Sequence, residues 1–327
     1  MQKYNYAVSL TRITAMIFIV ICHCSSLLGH VALASFFDVG VPIFFVISGY
    51  LTASKKIADK RSWAQKKMVR LYIPLLLWLV VYTIVKLLKG NYDISLWQVI
   101  MLLLNMQGLN HICNRIPLGV GPWFFTVIEL CYIFYLVLDT SKIVNHKDKY
   151  SFRTLLSLFG IVVVLQFCGI NFGGIFTFYL GCFIYNNKEE VSKIANKIWI
   201  IIIFGTVSIA LRLVGKMLFD DTVFYDNVLS SFTHTMLAAS IFLFFQYLGI
   251  HYSKTIELIG MFPLVTWLDK ISIYVYLTHT WFLGVLICNV FEITNSTFAI
   301  VILIAFTLSM SSFLYSIEKV IHKVTKL

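Results

Sequence analysis

Ten stretches of this chain stay apolar for long enough to cross a bilayer, and mostly short polar connections join them. They run over approximately 7–29, 36–54, 70–88, 122–140, 152–170, 172–187, 197–215, 228–250, 268–290 and 297–317. Roughly 20 apolar residues of helix span the hydrocarbon core, and lipid offers no partner for an unpaired backbone group. The class is therefore all-α: a polytopic membrane protein of about ten transmembrane helices. With 59% hydrophobic residues among 327, no soluble core could hide the apolar side chains. The sixth run is short and opens on Gly173-Gly174. The segment 94–106 is apolar but too short to span, which suits an interfacial or re-entrant helix. The first run has no small-residue cleavage site after it and reads as a retained helix.

Charge in the connections sets the orientation. The connection 55–70 carries Lys55, Lys56, Lys60, Arg61, Lys66, Lys67 and Arg70 against Asp59 alone. Those near 141–153 and 188–197 and the C-terminal tail are also rich in Lys or Arg, and 251–270 holds two lysines. The alternate connections are poor in them: 30–35 has neither, and 216–227 sets Asp220, Asp221 and Asp226 against Lys216. Placing the basic connections inside puts both termini in the cytoplasm, with no conflict of register. The net charge of +11 is thus spent on orientation, and nucleic acid is not an expected partner. No linker marks a second domain, so residues 1–327 read as one membrane-embedded unit in the plasma membrane.

Six of the seven cysteines (Cys22, Cys24, Cys131, Cys168, Cys182, Cys288) lie in apolar runs, and no CxxC occurs. Neither a disulfide framework nor a metal site is expected. Cys22-His23-Cys24 cannot converge on one ion, because helical neighbours point about 100° apart.

Ionisable groups at membrane depth are costly and seldom face lipid. Arg12 and His23, eleven residues apart in the first run, fall on one helical stripe, with about 20° of drift and roughly 16 Å of rise. Asp38 opens the second run, Glu129 lies about 10 Å into the fourth and His279 lies near the middle of the ninth. Arg12 has a plain reading as a snorkelling anchor, His23 as a packing residue and Asp38 as a helix cap. Glu129, among aromatic and aliphatic neighbours, needs a partner. Together they suit a reaction. A neutral histidine oriented by a carboxylate is a common general base for a hydroxyl, and Asp38 is placed to reach His23. Fixed positive charge below, from Arg12, Lys67 and Arg70, suits an anionic donor. A passage joining the two would bring an activated acyl group from inside to an acceptor outside. Ser48 and Gly49 read as helix-packing residues. His234 stays open, and His111, His146, His251 and His322 carry no assignment.

These residues resemble the acyltransferase-3 family of integral membrane acyltransferases. The matching segments are Arg12 with His23, Asp38-Val-Gly-Val-Pro-Ile-Phe-Phe-Val-Ile-Ser-Gly-Tyr50 and Lys67-Met-Val-Arg70-Leu-Tyr-Ile-Pro74. Trp123 through Glu129 to Tyr132 and Ile273-Tyr-Val-Tyr-Leu-Thr-His279 complete the set, in order along the chain. The resemblance implies acetyl-CoA or another acyl-CoA as cytoplasmic donor substrate, and O-acylation of a surface glycan or lipid-linked sugar. It implies donor-phosphate binding by Arg12, Lys67 and Arg70, catalysis by His23, and Glu129 and His279 lining the site. Lys67 departs from an Arg-x-x-Arg pair and loses bidentate contact. No serine follows Trp123, and no extracytoplasmic esterase-like domain is attached, so any final carrier step would fall to a partner, such as a surface-polymer synthesis protein, or to none. Alternative readings are a polysaccharide exporter or flippase, or a scaffold for such a complex.

Overall fold

The computed structural model describes residues 4–55, 57–88, 96–113, 122–140, 149–219, 222–282 and 296–325. Cys288 lies outside them, as does Asn295 of the glycosylation-like Asn295-Ser296-Thr297 pattern. The order begins with α1 (Tyr6–Leu27), α2 (Val31–Phe37), α3 (Gly40–Ala53), α4 (Lys60–Leu88), α5 (Leu96–Leu103) and α6 (Leu109–Ile112). It continues with α7 (Trp123–Thr140), α8 (Phe152–Phe167), α9 (Gly173–Asn186), α10 (Lys188–Ala195) and α11 (Ile198–Phe219). A π-helical turn, Tyr225–Leu229, leads into α12 (Ser230–His251), and α13 (Ser253–Met261), α14 (Pro263–Phe282) and α15 (Ser296–Thr325) follow.

Among the described residues, six stretches are long and apolar enough to cross a membrane: α1, α2 with α3 as Val31–Ala53, α4, α11, α12 and α15. The pair α13–α14 makes a seventh if its 73° bend is one broken span, and α7 and α8 are shorter apolar helices. The bend sits at Phe262 (φ −59°, ψ 132°), where the following Pro263 disfavours helical geometry and starts a new helix. The ninth apolar run thus begins as a helix at residue 263, not 268, and its end lies outside the described residues. With 14 residues α9 rises only about 21 Å. It is buried on nearly every side and has little lipid to match.

One helix, α11, is amphipathic in reverse, with apolar residues outside. On α11, Ile201, Ser208, Arg212 and Gly215 form the buried stripe, spaced by seven, four and three residues. Ile202, Ile203, Phe204, Val207, Leu211 and Val214 face outward. At the centre α3 crosses α9 through two glycines. A Cβ on Gly49 would lie 1.9 Å from the Phe178 carbonyl oxygen, and one on Gly181 would lie 2.1 Å from that of Val46. Any side chain there would force the backbones apart. Gly49 is a packing residue, as expected, and Cys182 Sγ donates to its carbonyl at 3.3 Å, while the Ser48 side chain bonds Tyr132.

Two helix pairs run in the same direction. Val46 and Tyr50 of α3 meet Gly181, while Phe45 meets Gly174, so α3 and α9 advance together. Likewise Arg12 meets Asp269, and His23 meets His279, along α1 and α14. An alternating ten-helix order requires this sense of spans two and six, and of spans one and nine.

Candidate active site

The seam between α1 and α14 carries two polar rungs. At one end Arg12 Nη1 donates to Asp269 Oδ1 at 2.7 Å. Tyr4 and Ser9 donate to Asp269 Oδ2 at 2.6 and 3.0 Å. Burial and the bond to Asp269 push the Tyr4 phenol up from its ordinary pKa, which keeps it a donor. Arg12 remains 28% exposed, and Asp269 only 6%. At the other end the rings of His23 and His279 lie 4.9 Å apart. His279 Nδ1 bonds the Val275 carbonyl at 3.0 Å. A carbonyl only accepts, so Nδ1 carries the proton and Nε2 offers a lone pair. That Nε2 is buried without a hydrogen-bond partner among the described residues. A buried polar atom left unpaired costs about 1–3 kcal/mol, and a ligand hydroxyl would satisfy it.

Both histidines open on a cavity of ≈ 640 Å³. Its walls include Asp38, Trp78, Tyr82, His111, Trp123 and His234, together with the first residues of α9 and α12. Among the described residues, the cavity at His23 does not extend down to Arg12. Arg12, Asp269, Lys67 and Arg70 are not among the described residues lining the cavity. Ile13, Met16, Ile271 and Val275 pack together between the two rungs and close the seam.

Asp38 does not pair with His23, contrary to the expectation from depth. It caps the C-terminal end of α2 and turns to α11 and α12. Arg212 Nη1 and Nη2 grip its two oxygens at 3.1 and 3.0 Å. His234 Nε2 donates to Oδ1 on the same carboxylate. The guanidinium supplies a planar fork that outcompetes a single ring nitrogen. Arg212 and His234, absent from the sequence-based site, are its partners.

Glu129 is absent from the described residues lining the cavity and instead fastens the α5–α6 segment to α7. Asn105 Nδ2 donates to Glu129 Oε2 at 2.6 Å and to the Phe125 carbonyl at 2.8 Å, and Tyr72 also bonds the carboxylate. Asn105 sits at φ 53°, the left-handed region that asparagine tolerates better than most residues. Thr126 closes the joint, donating to the Asn105 carbonyl at 2.7 Å and accepting from Gly108 N–H at 2.9 Å. The joint delivers His111 to the cavity wall, stacked on Trp123 with centroids 3.7 Å apart. Burial there holds the His111 imidazole below its ordinary pKa.

Lys67 and Arg70 lie at the α3–α4 end of the chain. Lys67 Nζ donates to Thr52 Oγ1 at 3.0 Å and stands 4.2 Å over the Tyr132 ring. Arg70 is exposed. The described residues hold no group of three or more His, Cys, Asp or Glu that could gather a metal ion.

A protein-family model described as an acyltransferase domain, of the acyltransferase-3 type, matches residues 5–315. No curated protein matches the chain significantly. No solved structure matches it significantly either.

Proposed function

The chain belongs to the acyltransferase-3 family, and from that premise we propose a membrane O-acyltransferase acting across the bilayer. An acyl group, acetyl in the first instance, passes from cytoplasmic acyl-CoA to a hydroxyl of an extracytoplasmic or lipid-linked glycan. The observation that carries this reading is the pair of imidazoles at one end of the α1–α14 seam, with His279 Nε2 buried and unpartnered at a cavity wall. His23, on the same cavity, takes the proton from the acceptor hydroxyl. His279 Nε2 accepts a hydrogen bond from the sugar and holds it in place.

At the other end, Arg12 spends one of its five N–H donors on Asp269 and keeps the rest for donor phosphate. Arg70, exposed, and Lys67 supply further charge from α4. The pantetheine arm and its thioester are apolar enough to pass between Ile13, Met16, Ile271 and Val275 when those side chains part. The test is His23→Ala, with surface glycans read by mass spectrometry. O-acylation should fall by about 100-fold or more, as loss of a general base does. Normal O-acylation by a properly inserted variant removes His23 from the chemistry.

A further inference from the structure

The cavity contains a second set of groups that the His23 chemistry leaves idle. Ser230, the first residue of α12, places Oγ 3.2 Å from Nδ1 of His234. The other ring nitrogen of His234 bonds Asp38, which Arg212 holds through both oxygens. All of Ser230, His234 and Asp38 line the cavity. A carboxylate only accepts, so Nε2 of the neutral ring carries the proton and Nδ1 is left to accept from the serine hydroxyl. That is the nucleophile–base–orienter relation of acyl-transfer sites, with the two ring nitrogens exchanged.

Two neighbouring features fit the same chemistry. Ser230 follows a π-helical turn, its N–H bonding back to the Tyr225 carbonyl, and such turns concentrate at functional sites. The first turn of α9 stands beside it: a Cβ on Gly173 would lie 2.3 Å from Ser231 Oγ, and Gly173 and Gly174 line the cavity. The Gly173 N–H is taken by Asn171 Oδ1 at 3.0 Å, so what this turn offers developing negative charge is the positive end of the helix dipole.

We propose that Ser230 is an acyl-carrying nucleophile, so that transfer runs through an acyl-serine on this cavity wall. The inference rests on the acyl-thioester reading given above. His234 takes the Ser230 proton as Oγ attacks the thioester carbonyl. The C–S bond breaks, an ester C–O bond forms and the thiolate leaves with that proton as free CoA thiol. In the second half, the acceptor hydroxyl loses its proton to His23 and attacks the ester. Ser230 Oγ leaves and regains, through His234, the proton that His23 took from the acceptor and returns across the cavity, so both imidazoles end neutral. Asp38 and Arg212 are positioning residues for His234.

The full chain, purified in nanodiscs, is mixed with isotopically labelled acetyl-CoA and no acceptor, quenched in acid and mapped by mass spectrometry. The expected result is one acetyl ester on the Ser230 peptide, with about one CoA thiol released per chain. Ser230→Cys should hold the label as a hydroxylamine-sensitive thioester. Ser230→Ala, which leaves the Asp38–Arg212–His234 contacts intact, should take no label. It should also cut glycan O-acylation in cells by at least about 100-fold. Wild-type O-acylation by Ser230→Ala, or label on another residue, overturns the acyl-serine while the acyltransferase reading stands. If the wild-type chain neither takes label nor supports O-acylation, both readings fall.

Discussion

Asp38 and Arg212 are bonded to each other but sheltered unequally, and that inequality predicts which loss hurts more. The Arg212 side chain is 10% exposed and the Asp38 side chain 38%. Replacing Asp38 by Asn strands a guanidinium in the bundle with Ser35 Oγ, 3.3 Å away, as its other described bond. Removing the partner of a buried charge costs about 3–5 kcal/mol, and Asn, which still offers a carbonyl oxygen, should fall at the lower end, near 3. Replacing Arg212 by Met leaves Asp38 with His234 and the cavity, so the loss should be about 1–2 kcal/mol. The double variant buries no stranded charge. It should also lose about 1–2 kcal/mol, a coupling of about 3 kcal/mol against additivity. Unfolding in mixed micelles of rising SDS fraction reads these differences directly. Arg212→Met as damaging as Asp38→Asn, or an additive double variant, would refute the reasoning.

Arg12→Ala should weaken acyl-CoA binding to the purified chain by roughly 10- to 150-fold, the worth of one charge-assisted contact. Unchanged affinity by calorimetry removes Arg12 from the donor site. At Asn105, Ala should cost about 1–2 kcal/mol for the left-handed backbone alone, besides the lost bonds to Glu129 and Phe125. Gly should lose only the bonds, and limited proteolysis between α5 and α7 that treats both variants alike would contradict that ordering. His111, held below its ordinary pKa, binds fewer protons folded than unfolded. Its contribution to stability is therefore complete at neutral pH and declines as pH falls through about 6.5, the unfolded value. His111→Phe should flatten the melting midpoint against pH, and an unaltered slope counts against the assignment.

Much of the site is legible along single helices and little of it between them. Eleven residues of helical spacing suffice to put Arg12 and His23 on one edge of α1, and both do face α14. Their partners, Asp269 and His279, depend on α1 and α14 lying side by side, which no local pattern encodes. The pairing of Asp38 with His23 fails for the same reason: depth ranks candidates but does not choose among neighbours. Arg212 carries a readable signal, because an arginine inside the run 197–215 needs an acid at its own depth, and Asp38 is one. The need of Glu129 for a partner is equally readable. That the partners would be Asn105 and Tyr72, fastening a connecting segment, follows only from the turn at Asn105.

The knot of Ile13, Met16, Ile271 and Val275 bears on the energetics of the cell as well as on the reaction. A water-filled channel through this seam would let protons run down the gradient that powers the membrane, at every moment and not only during turnover. Four apolar side chains offer a hydrated ion no polar ligands, while the thioester arm of the proposed donor would slide past them. On the proposed function, the protein would serve two compartments while this cluster keeps the seam between them closed to ions.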